Sequence, residues 1–144
     1  MERNRSKMGR RGLLARTLVL DSESVSKLAT EDPMVMPHIL EARKRQAPVV
    51  ASAATLAEVL RGSSRDAGVH RVLKRVDIVP LTRDLGRSAG ELLGASGLPA
   101  TASIDAMVVA TALVQTRPVM ILTSDPGDMS ALAAGATGVG IQHV

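Results

Sequence analysis

The sequence predicts an α/β domain built on a mainly parallel central sheet flanked by helices. Three observations lead there. Short apolar runs of strand length alternate with segments of helical periodicity. The apolar runs lack the polar alternation of half-exposed strands, as strands covered on both faces do. The chain has 144 residues and is 45% hydrophobic, which suits one domain with one core.

The elements follow in order. Leu18-Val19-Leu20 is a buried strand that ends at Asp21, and Ser22 to Thr30 is a short helix capped by Asp21 or Ser22. Pro33 and Pro37 mark a break, with Pro37 in the first turn of a helix to about Gln46. Pro48 to Ala51 is a second strand, and Ala54 to Arg61 a helix stopped by Gly62. A helix over Ala67 to Val76 places Val69, Val72, Leu73 and Val76 on one face. Ile78 to Leu81 is a strand that its proline confines to a sheet edge. Thr82 caps a helix to about Ala95, and Ser103 or Asp105 opens a strongly apolar helix to Gln115. Val119 to Leu122 is a buried strand, Asp128 to Ala134 a small helix closed by Gly135, and Val139 to Gln142 a last strand.

In open parallel sheets ligands bind beyond the carboxyl ends of the strands. Asp21 directly follows the first strand, and Asp125 follows the Val119–Leu122 strand after Thr123 and Ser124. Asp105 lies in the first turn of its helix, and Glu58 in a helix soon after the second strand. All four therefore belong to one rim. At about 5 Å and an effective dielectric of about 20, two carboxylates repel by on the order of 3 kcal/mol. A hard divalent cation with oxygen ligands, such as Mg²⁺, relieves that conflict and suits in-line hydrolysis of a phosphodiester. Singly, each acid has a plainer reading: Asp21 and Asp105 as helix caps, Asp125 as a turn former before Pro126-Gly127, Glu58 as a solvated helix residue. Four at one rim are harder to attribute to caps.

Composition narrows the classes. No Cys is present, which excludes disulfides, thiolate metal sites and a Cys nucleophile, and agrees with a cytoplasmic location. No Phe, Trp or Tyr is present, so bases cannot stack on aromatic rings. The net charge is +4. Residues 1–16 hold six basic residues against Glu2, which leaves the remainder at −1. We read 1–16 as a basic, flexible extension, whether a tail that touches phosphates, a solvated tail or a product of start-site choice, and 17–144 as the folded domain. No apolar run reaches the roughly 18 residues of a membrane span, and no signal peptide is read. Arg61, Arg65, Arg71, Lys74 and Arg75 form a basic region after Glu58 that would either contact an RNA backbone or form a solvated helix face.

Four segments carry a resemblance: Leu18-Val19-Leu20-Asp21-Ser22, Thr55-Leu56-Ala57-Glu58-Val59-Leu60-Arg61-Gly62, Ser103-Ile104-Asp105-Ala106-Met107, and Leu122-Thr123-Ser124-Asp125-Pro126-Gly127-Asp128-Met129. In this order and spacing the chain, from about residue 17 onward, resembles the PIN-domain family, and within it the toxin nucleases of VapBC toxin–antitoxin pairs. The resemblance implies a sheet of five mostly parallel strands and Mg²⁺- or Mn²⁺-dependent cleavage of RNA. It also implies a homodimer and a small antitoxin that covers the site. It assigns Asp21, Glu58, Asp105 and Asp125 as catalytic, metal-binding acids and Asp128 as an auxiliary one. Ser22 and Thr123 would support the acids by hydrogen bonds. The basic tail and the missing aromatics depart from the family pattern.

Two other readings compete. A non-catalytic PIN-like module would bind RNA or protein without cutting. A haloacid-dehalogenase-like phosphatase would use Asp21 as nucleophile, but needs an Asp where Glu23 stands and a late Lys, and none follows Lys74. Glycine patterns for dinucleotides or nucleoside triphosphates are missing.

Overall fold

The computed structural model describes residues 14–144. Five strands form one sheet in the order β3-β2-β1-β4-β5. They are β1 Thr17–Leu20, β2 Val49–Ser52, β3 Asp77–Val79, β4 Val119–Thr123 and β5 Val139–His143. Every neighbouring pair is parallel, with Leu18 opposite Val49 and Met120. Seven α-helices lie among the described residues: α1 Ser22–Ala29, α2 Met36–Lys44, α3 Ala53–Val59, α4 Ala67–Leu73, α5 Arg83–Ser96, α6 Ser103–Leu113 and α7 Pro126–Leu132.

Side chains alternate across each strand, and the sheet is apolar on both faces for that reason. Leu18, Leu20, Ala51, Met120 and Leu122 pack with Val25 and Leu28 of α1 and Ile39 of α2. On the other face Val19, Val50, Val119 and Ile121 pack with Leu85 of α5, Val109 of α6 and Met129 of α7. Both layers are wholly aliphatic, and each fully buried Leu, Ile or Val contributes roughly 1.5–3 kcal/mol. β3 is an edge strand, as read, but it runs Asp77–Val79 rather than Ile78–Leu81, and Pro80 lies just beyond it and ends it.

Several boundaries differ from the sequence reading. α3 ends at Val59, short of Arg61 and Gly62, because Leu60 is already extended and the next two N–H groups bind Asp66. α4 ends at Leu73 rather than Val76. α7 begins at Pro126 rather than Asp128, because Asp125 caps it by accepting the Asp128 N–H. Asp105 caps nothing: Ala102 precedes α6 and Asp105 lies within its first turn.

Of the proposed extension, residues 1–13 lie outside the described residues. Ala15 is buried in the core and the Arg16 N–H donates to the Pro118 carbonyl at 2.8 Å, so ordered packing reaches two residues ahead of β1.

Candidate metal centre

The order of the strands creates the rim. β1 and β4 are central neighbours, so Asp21 and Asp125 emerge side by side from their carboxyl ends. α6 packs across α3 and delivers Asp105 from its first turn, close to Glu58 in the last turn of α3.

Asp105 is the centre of this cluster. Its carboxyl is held up at about 6, first by partial burial, then by the negative charges of Asp21, Asp125, Asp128 and Glu58. Carboxylate oxygens of Asp105, Asp125 and Asp128 lie within 4.8 Å of one another. The acid read as auxiliary, Asp128, thus belongs to the tightest group, and Asp21 and Glu58 stand outside that group while still acting on Asp105.

The reason lies in how the side chains are tethered. Asp21 is buried, and its Oδ1 accepts the Ser24 N–H at 2.8 Å and the Ser24 hydroxyl at 2.7 Å, so it caps α1 while facing the rim. The Ser24 hydroxyl shares its hydrogen with the Leu122 carbonyl at 2.6 Å, which ties Asp21 to β4. Glu58 is exposed, and its Oε1 accepts the Ser22 hydroxyl at 2.5 Å. Asp125 Oδ1 accepts the Asp128 N–H at 3.3 Å. Each of these three acids engages one oxygen, and among the described residues the other accepts no hydrogen bond.

Ser22 reaches an acid directly, as the resemblance implies. Thr123 does not: its Oγ1 accepts the Asp125 N–H at 2.9 Å and so fixes the loop backbone. Ser124 Oγ is buried without a partner beside it. Ser24 was missed by the sequence reading, although an Asp cap followed three residues later by a hydroxyl residue is a capping pattern visible in the sequence.

The basic residues fall into two sets. Arg61 turns its guanidinium back onto the Ala57 and Leu60 carbonyls at 3.0 and 2.8 Å. Arg65, Arg71, Lys74 and Arg75 are exposed. Arg71 and Arg75 border a groove between α1, α2 and α4, made of two adjoining cavities of about 370 and 230 Å³. Leu28, Ile39, Met36 and Val72 line it, with Arg43 on the opposite lip. It opens near the starts of β2 and β3, at the end of the sheet away from the acids.

Hard oxygen donors in a tight, mutually repelling group fit a divalent cation and fit no soft metal. No helix among the described residues is long and apolar enough to cross a membrane.

Solved structures share this fold. A toxin–antitoxin complex from Klebsiella pneumoniae is 20% identical, with 85% of this chain and 95% of that chain covered and a TM-score of 0.62. VapBC2 from Rickettsia felis, bound to a DNA fragment from their promoter, is 14% identical, with 89% and 98% covered and a TM-score of 0.62. FitAcB from Neisseria gonorrhoeae is 15% identical, with 87% and 96% covered and a TM-score of 0.55. No curated protein matches the chain significantly. The PIN domain family model matches residues 18–134, from the strand that delivers Asp21 through the helix that Asp125 caps. On that match, which takes in all five acids of the rim and sets the dehalogenase alternative aside, the chain belongs to the PIN-domain family.

Proposed function

We propose that this protein is a Mg²⁺- or Mn²⁺-dependent endoribonuclease and the toxin of a toxin–antitoxin pair. The observation that carries the reading is the acidic cluster itself: oxygens of Asp105, Asp125 and Asp128 lie within 4.8 Å of one another, and Asp21 and Glu58 add their charge to the burial that raises the Asp105 carboxyl. Asp105, Asp125 and Asp128 would hold the cation, with Asp21 and Glu58 offering their free oxygens from the flanks. A bound ion would stabilise charge on the phosphodiester and acidify a water. The chain's own part is to fix the acids: Ser24 and Ser22 each anchor one carboxylate oxygen, and Thr123 sets the Asp125 loop. Preset ligands reduce the reorganisation needed during an in-line displacement.

Of the basic residues, Arg65 lies beside the turn after α3 and is best placed to meet an RNA backbone leading to the acids. Arg71 lies further along α4, which runs from that turn towards the start of β3, and Lys74 and Arg75 lie just past its end. Beyond the part of the antitoxin that covers the acids, the groove would take a further, apolar antitoxin segment flanked by acidic residues, since its floor is aliphatic and Arg43, Arg71 and Arg75 stand on its lips. A homodimer is the expected assembly.

The test is cleavage of structured RNA by purified protein with Mg²⁺, with Mn²⁺ and with EDTA, beside Asp105→Asn prepared identically. Metal-dependent cutting that disappears in the variant supports the nuclease. Equal cutting by both points to contamination. Mn²⁺ binding without any cutting would favour the non-catalytic module.

A further inference from the structure

α3 has seven residues, and Glu58 is the next to last of them. A helix this short has no stability of its own, and its final turn is the part that frays first. Yet Glu58 has to be held if its free oxygen is to serve a metal.

The end of α3 is closed by Asp66, a buried carboxylate eight residues beyond Glu58. Its oxygens accept the Arg61 N–H at 2.9 Å and the Gly62 N–H at 2.8 Å. Gly62 has φ of +76°, a left-handed conformation that brings its N–H into line with the same carboxylate. With the backbone turned in this way, the Arg61 guanidinium folds back onto the Ala57 and Leu60 carbonyls and covers the open end of α3. Asp66 itself leads into α4, and α4 packs on α1. α1 carries Ser22, which binds Glu58. The contacts form a closed ring: Ser22, Glu58, the Arg61–Gly62 turn, Asp66, α4 and back to α1. The Arg61 N–H, foremost among the backbone donors, keeps the Asp66 carboxyl below the usual carboxylate range, so it stays ionised as the ring requires.

We propose that Asp66 is a positioning residue for Glu58: it ends α3, aims Arg61 at the α3 carbonyls and thereby holds Glu58 at the acidic rim. This rests on the reading of Glu58 as a metal-binding acid.

The experiment is a double-mutant cycle on Mn²⁺ affinity, measured by titration calorimetry, with RNA cleavage as a second readout. The variants are Glu58→Gln, Asp66→Ala and the pair. Removing an outer support of a ligand typically weakens metal binding roughly 10-fold. The expected result is a loss of about that size in Asp66→Ala, no further loss when Asp66→Ala is added to Glu58→Gln, and a partial loss in Asp66→Asn, which keeps one acceptor oxygen. A merely structural Asp66 would lower affinity equally in both backgrounds, and that result overturns the proposal, as does unchanged affinity in a folded Asp66→Ala. Unchanged affinity in Glu58→Gln alone would overturn both this proposal and the reading beneath it. If Asp66→Ala does not fold, Asp66→Asn takes its place in the same cycle.

Discussion

The Ser22 hydroxyl donates to Glu58 Oε1 at 2.5 Å and joins the start of α1 to the last turn of α3 across a separation of 36 residues. The bond uses a small side chain on a rigid element to orient a long, exposed one. Ser22→Ala is expected to weaken Mn²⁺ affinity by about 5-fold, equivalent to about 1 kcal/mol for one lost hydrogen bond, with little change in melting temperature. Titration calorimetry beside thermal unfolding separates the two. A large fall in melting temperature with intact affinity would assign the bond to folding instead.

Asp105 predicts a pH effect. Its carboxyl is raised from 3.8 to about 6, so the folded state binds this proton more tightly than the unfolded chain does. Stability of the metal-free protein therefore falls as pH rises across that interval. Asp105→Asn removes the loss. The expected gain at pH 7 is on the order of 1 kcal/mol, reduced from the formal value of about 3 kcal/mol because solvent screens a partly exposed carboxylate. Unfolding in EDTA, followed from pH 4 to pH 8 for both proteins, checks the sign. Added Mg²⁺ should raise the wild-type melting temperature and leave the variant little changed.

α5 carries Gly86, Gly90 and Gly94 on its exposed side, and a Cβ placed on any of them meets nothing within 4 Å. Glycine inside a helix is about 0.8–1 kcal/mol less favourable than alanine, so each Gly→Ala change should stabilise the protein by about that much. Chemical denaturation of the single and triple variants measures it. A loss of stability would mean that another surface covers this face.

Ile121 is fully buried at the centre of the sheet. Ile121→Ala should cost about 2–5 kcal/mol, since neighbouring aliphatic side chains cannot fully collapse into the space. Denaturant unfolding tests this, and a cost below about 1 kcal/mol would show a core looser than native packing density implies.

Much of this structure is written locally. The strands were legible because doubly covered β1, β2 and β4 must be continuously apolar, and Pro80 marked the edge. The rim was legible because a parallel sheet brings its strand ends together, which placed Asp21 and Asp125. What escaped depends on which side chain meets which backbone group, even a few residues away. Arg61 and Gly62 carry no local sign that their N–H groups belong to Asp66, so α3 was read too long. Nor can spacing tell which side chains turn inward, and Asp128 joined the tightest acidic group ahead of Asp21 and Glu58 because the Asp125 cap pulls the α7 start onto the rim. The groove between α1, α2 and α4 arises from three separate helices and has no motif.

The aliphatic core also decides how the molecule can be watched. A chain without Trp, Tyr or Phe is dark in the near ultraviolet and has no intrinsic fluorescence. Its unfolding has to be followed by far-ultraviolet dichroism or calorimetry, and its concentration by peptide absorbance. The same silence makes one introduced fluorophore unambiguous. A Val72→Trp variant would place the sole emitter on the wall of the α1–α2–α4 groove, where any change of colour on adding a partner reports that groove and nothing else.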